Sequence, residues 1–263
     1  MDLDRPSAPR LADLDRALLA LPLIGGLVFG ILPFATPAFF AGVTGYAGED
    51  AYVYRLAGAA TFGYAVALLL GMRNGDWLPL RNVVIAVFVF NLGSVFACFI
   101  ELATARTSVA MFAILITSML IVRISAGLLA HYPGAPEGGD VARWVVLTTT
   151  VAALAAFVFG VVPYVPELSA RPLGYTGTDA FLWRQAGSAT LGYAVMGIFE
   201  LRAPRWEVMR LPTIMALVFN GLAFVASCIE IQQGAITPLV ALVAPASLAF
   251  TIATAAALIR KGR

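Results

Sequence analysis

Charge is what this chain has least of. Asp, Glu, Lys and Arg make up 12% of 263 residues, hydrophobic residues make up 60%, and the mean hydropathy is +0.88. A soluble domain carries about 25% charged residues, so the composition excludes an ordinary water-exposed surface and points to a bilayer. Basic side-chain chemistry is almost confined to arginine, because the one lysine is Lys261 and the one histidine is His131. That excludes a retinal-type lysine within a membrane helix and a haem held by paired histidines. The two cysteines, Cys98 and Cys228, have no spacing that suggests a metal site or a disulfide, and they read as buried structural thiols. No His-Glu-x-x-His, Gly-x-Ser-x-Gly, phosphate-binding Gly-x-x-x-x-Gly-Lys or Cys-x-x-Cys motif occurs. We therefore expect no enzyme activity, no metal and no cofactor.

What is present is apolar sequence in lengths that fit a membrane. About 20 apolar residues cross a hydrocarbon core of about 30 Å. Eight such segments are predicted, at 17–35, 52–72, 82–101, 107–130, 144–165, 180–200, 211–231 and 237–259. The chain also aligns with itself at an offset of 129. Gly45-Tyr46-x-Gly48-x-Asp50-Ala51-x-x-x-Arg55 falls on Gly174-Tyr175-x-Gly177-x-Asp179-Ala180-x-x-x-Arg184, and about two positions in five are identical from Gly45 to Glu101. Phe29-Gly30-x-x-Pro33 matches Phe159-Gly160-x-x-Pro163 at an offset of 130, so the first segment reads as a helix with an internal twin, not a cleaved signal.

The fold expected is an all-α integral membrane protein of eight transmembrane helices. They form two parallel four-helix repeats about a pseudo-twofold axis along the membrane normal. The divisions are a cytoplasmic tail over 1–16, repeat 1 over 17–134, a cytoplasmic linker over 135–142 and repeat 2 over 143–260. One face collects Arg5, Arg10, Arg16, Arg73, Arg81, Arg143, Arg202, Arg205, Arg210, Arg260, Lys261 and Arg263. The other holds Arg55, Arg106, Arg171 and Arg184. By the positive-inside rule both termini are cytoplasmic. The basic residues are topology signals, not a nucleic-acid site, and the expected partner is the lipid bilayer.

Polar residues kept in both halves mark positions where each half needs the same chemistry. Arg55 and Glu101 sit at the outer ends of neighbouring antiparallel helices, as do Arg184 and Glu230, which predicts one ion pair within each repeat. Asn91 and Asn220 lie ten and Tyr64 and Tyr193 nine residues further in, about 15 Å at 1.5 Å per residue, which predicts a Tyr–Asn contact in each repeat. Two readings stand for this set: a structural clamp, or a polar site lined with Tyr46 and Asp50. Asp50 and Asp179 read as helix N-caps. Arg55 and Tyr64 face opposite sides of one helix, so that helix is expected to be buried all round. Ala59 and Gly63, with Ser188 and Gly192, invite close approach of another backbone. Pro212 reads as the start of the seventh helix.

Charges present in one half only are Arg123 and Glu200, whose counterparts are Ile252 and Gly71. Similar depth and opposite sign predict an inter-repeat ion pair.

The residues Arg55, Gly58, Gly63 and Asn91, with Arg184, Gly187, Gly192 and Asn220, give each half a pattern that resembles the DoxX-like four-helix bacterial membrane proteins. The resemblance implies the helix count and a bacterial inner membrane. Some members are associated with quinone-linked sulfur oxidation, and nothing here matches a redox motif. The function expected is therefore a non-enzymatic accessory subunit or lipid-binding bundle, with a membrane-protein partner or a second copy of the chain. The alternative is a transporter or channel for a small solute along the inter-repeat axis.

Overall fold

The computed structural model describes residues 9–45, 50–104, 107–135, 137–175, 177 and 180–263. Among them the chain is helical: α1 (Asp13–Leu18), α2 (Ala20–Ala35), α3 (Pro37–Thr44), α4 (Ala51–Asn74), α5 (Trp77–Ala103), α6 (Val109–His131), α7 (Arg143–Val161), α8 (Pro166–Ser169), α9 (Ala180–Arg202), α10 (Trp206–Gln232) and α11 (Pro238–Ile259). Seven segments are long and apolar enough to cross a membrane: α1 with α2, then α4, α5, α6, α7, α10 and α11. Helices of this number and composition suit a polytopic membrane protein.

The predicted sixth span, α9, has the length of a crossing but not the hydropathy. Its position explains its composition. α9 packs against α5, α7 and α4 and buries Trp183, Arg184, Gly187, Ser188 and Tyr193, so little of it would meet lipid. α4 is similarly enclosed. It buries Tyr52, Val53 and Tyr54 in succession and Ala59, Ala60 and Thr61 in succession, which covers every side of the helix.

Several local signals hold. Asp50 caps α4 by accepting from the Val53 N–H at 3.1 Å, and Ser108 and Thr237 cap α6 and α11 in the same way. Asp179 and Tyr46 lie outside the described residues. Gly45 and Gly174 both adopt the left-handed conformation, φ +71 and +80, where a side chain would be strained. Pro212 departs from expectation. α10 begins at Trp206, so the proline lies inside the helix, as does Pro245 in α11.

The loops of one face are tied to one another and to the first and last described segments. The Leu11 N–H donates to the Gly75 carbonyl at 3.0 Å, and the Val141 N–H to the Pro204 carbonyl at 3.2 Å. Tyr132 donates its hydroxyl to Asp15 at 2.6 Å, and the Ala142 N–H donates to the Gly262 carbonyl at 2.9 Å.

Candidate functional site

α4 and α9 each pack both on the preceding long helix and on a helix of the other half of the chain. α4 lies against α2 and α10, and α9 against α7 and α5. The crossings depend on glycines. A Cβ on Gly63 of α4 would stand 2.9 Å from the Met215 carbonyl oxygen of α10, and one on Gly192 of α9 would stand 2.6 Å from the Ala86 carbonyl oxygen of α5. The small-residue positions therefore do admit another backbone.

This packing corrects the expected ion pairs. Arg55 reaches Glu230 at 2.5 Å, and Arg184 reaches Glu101. Each pair joins the first four long helices to the last four, and not two neighbours of one hairpin. The physical reason is depth: all four charged ends lie at one level, and close crossing of α4 with α10 and of α9 with α5 puts the partner from the other half nearer. Tyr52 extends the Arg55 end, with its hydroxyl 2.8 Å from that of Ser227.

The tyrosine–asparagine contacts are also replaced. Asn91 donates to the Val87 carbonyl of its own helix and Asn220 to the Ala216 carbonyl, both at 2.8 Å. Mid-helix asparagine has this local option, and it leaves the tyrosines free to cross. Tyr64 donates to the Ala189 carbonyl at 2.6 Å and Tyr193 to the Ala60 carbonyl at 2.8 Å. Their rings meet at 5.0 Å between centroids.

Arg123 and Glu200 do not form an ion pair. Arg123 stands on the exposed side of α6, whereas Glu200 is 5% exposed and faces inward from α9. Equal depth places two residues in one layer, not in contact. Both cysteines are free thiols, and no cluster of three or more metal-ligating residues occurs among the described residues.

Two cavities lie within the bundle. One, of about 120 Å³, is bounded by α2, α4, α5 and α6 and lined in part by Phe29, Tyr64, Asn91 and Ser118. The other, of about 600 Å³, is bounded by α7, α9, α10 and α11 and lined in part by Phe159, Tyr193, Asn220 and Ser247. These residues correspond at offsets of 129 or 130. The larger cavity opens sideways between α7 and α11, where Val151 and Leu242 are about half exposed. Its lining residues include one acidic side chain, Glu200, and no arginine or lysine. Along α9 the lining residues Trp183, Ala186, Thr190, Tyr193, Gly197 and Glu200 recur every three or four positions, which is one helix face.

Sequence reasoning missed this site. It followed the polar residues that the halves share and did not compare the sizes of the apolar ones. No protein-family model matches the chain, and no curated protein or solved structure matches it.

Proposed function

We propose that this protein is a non-enzymatic membrane bundle that holds a lipid-soluble molecule in the cavity between α7 and α11. The observation that carries this reading is the cavity itself: about 600 Å³, apolar in most of its lining, with a side opening where a membrane-dissolved molecule would enter. Sites for small molecules typically span roughly 300–1,000 Å³ and combine apolar walls with few polar groups.

In this reading α9 is the eighth span, and the chain is two parallel four-helix halves about a pseudo-twofold axis. Bonds at matched positions support it: Tyr64 to Ala189 with Tyr193 to Ala60, and Leu11 to Gly75 with Val141 to Pro204. The resemblance to DoxX-like proteins agrees in helix number. The arginine distribution supports cytoplasmic termini, and the DoxX-like resemblance is what points to a bacterial inner membrane. A role as accessory subunit uses the same surfaces. Transport along the axis between the halves is less favoured, because Tyr64 and Tyr193 fill that axis with rings 5.0 Å apart.

The test is extraction in polymer discs followed by native mass spectrometry of the intact particle. Retention of a defined lipophilic molecule is expected, and its loss on filling the cavity with Ala253→Ile and Thr149→Leu. A particle that carries only a stoichiometric protein partner would replace this reading with the accessory-subunit one.

A further inference from the structure

The larger cavity has a smaller counterpart of about 120 Å³, and comparison of the two shows which side chains account for the difference. In the first half Leu19, Leu68 and Leu128 are fully buried and Leu23 and Ile124 pack against them. At the matched positions of the second half stand Thr149, Gly197, Ala257, Ala153 and Ala253, and all five line the 600 Å³ cavity. Two changes run the other way, Ala67 to Met196 and Ile121 to Phe250, without closing it. Five reductions in one layer are unexpected if that layer only had to pack, since each loss of a buried side chain costs stability.

The same layer gains Glu200 where the first half has Gly71. At Gly71 a Cβ would run into the end of the Leu80 side chain and come 3.1 Å from that of Leu211, so a side chain there would displace the leucines. In the second half Glu200 forms part of the cavity wall. It is 5% exposed, and among the described residues it has no hydrogen-bond or ion-pair partner. An unpaired ionisable group inside a membrane bundle is costly and marks a function by default. The two observations converge, because the hollowed layer is the layer that received the acid.

We propose that Glu200 is the head-group receptor of this cavity and that the ligand is an amphiphile with an apolar body and a primary ammonium head. The carboxylate accepts hydrogen bonds from the ammonium, the apolar walls take the chain, and the side opening admits it from the bilayer. An anionic head is disfavoured at Glu200, and a neutral hydroxyl head gains one hydrogen bond to the carboxylate but no attraction between opposite charges. The ammonium comes either from a free lipophilic amine or from an aminophospholipid.

This inference rests on the binding reading above, and the experiment separates the two. Dodecylammonium and dodecanol are titrated into the full chain in phosphatidylcholine discs. Binding is followed by fluorescence of Trp144 and Trp183, which line the cavity. The expected result is that dodecylammonium binds more tightly than dodecanol and that Glu200→Gln weakens the amine by about tenfold or more, the scale of a hydrogen bond to a charged group. The same variant should weaken dodecanol less, because its hydroxyl keeps a hydrogen bond to the neutral amide and loses no attraction between opposite charges. Equal binding of the amine to wild type and Glu200→Gln overturns the head-group assignment. If neither probe binds, or Ala253→Ile with Thr149→Leu changes nothing, the binding reading itself falls. Given the Glu200-dependent preference, competition by added phosphatidylethanolamine assigns the lipid as source, and lack of competition assigns a free amine.

Discussion

The two halves of the chain agree in many of their polar residues and differ in how they fill space. At the level of the tyrosines both use the same devices: a tyrosine bonded across to the other half, a glycine at each crossing, and an asparagine bonded within its own helix. Nearer the tethered chain ends they diverge. Leu19, Leu68 and Leu128 fill this layer of the first half, while Thr149, Gly197 and Ala257 line the larger cavity in the second. A fold that can lose this much side-chain volume on one side and keep its crossings has separated its scaffold from its site. The crossings between halves hold the bundle, and the outer layer is available for change.

That contrast can be broken most severely at the ion pairs. Removing one partner of a buried pair leaves an uncompensated charge and typically costs about 3–5 kcal/mol. Glu101→Ala is expected to act in this range, read as thermal stability in discs, because Glu101 and Arg184 are both buried. Charge reversal tests which half supplies the partner. Arg184→Glu with Glu101→Arg should recover part of the loss, whereas Arg55→Glu with Glu101→Arg should not.

A second prediction exchanges the character of the halves. Leu68→Ala or Leu128→Ala should cost about 2–5 kcal/mol, as buried leucine truncations do. Ala253→Ile, which installs the first-half residue in the second half, should cost far less because it enters existing space. Similar losses on both sides would mean that the cavity is an ordinary part of the packing.

The crossings give an intermediate effect. Gly63→Ala and Gly192→Ala force a methyl against a carbonyl oxygen and are expected to cost about 1–3 kcal/mol. Gly221→Ala, where nothing lies within 4 Å, should be neutral or slightly stabilising through helix propensity. The smallest effect is expected at the tyrosine hydroxyls. Tyr64→Phe removes one hydrogen bond, and interhelical bonds in membranes average about 0.6 kcal/mol.

Composition and period were enough to place the helices, because a bilayer leaves few alternatives for an apolar segment. Asp50 was legible as a cap because capping is local. The partners of Arg55 and Glu101 were not legible, since four charges at one depth allow pairing within or between halves and only the crossing geometry chooses. Arg123 and Glu200 show the same limit, because depth says nothing about which way a side chain turns. The cavity was legible in principle. Leu68 set against Gly197 and Leu128 against Ala257 are visible in the self-alignment, but they look like drift until the structure shows that they share a layer with Glu200.

The exchange of ion pairs between halves also sets a timetable. Arg55 and Glu230 are 175 residues apart, and Arg184 and Glu101 are 83 apart. At about 5–20 residues per second of synthesis, Arg55 waits roughly 9–35 s for the residue that neutralises it, and Glu101 waits roughly 4–17 s. The newly inserted first half therefore spends that interval without the partners it has in the finished bundle, and Arg55 and Glu101 can hold each other or lipid headgroups until α9 and α10 arrive.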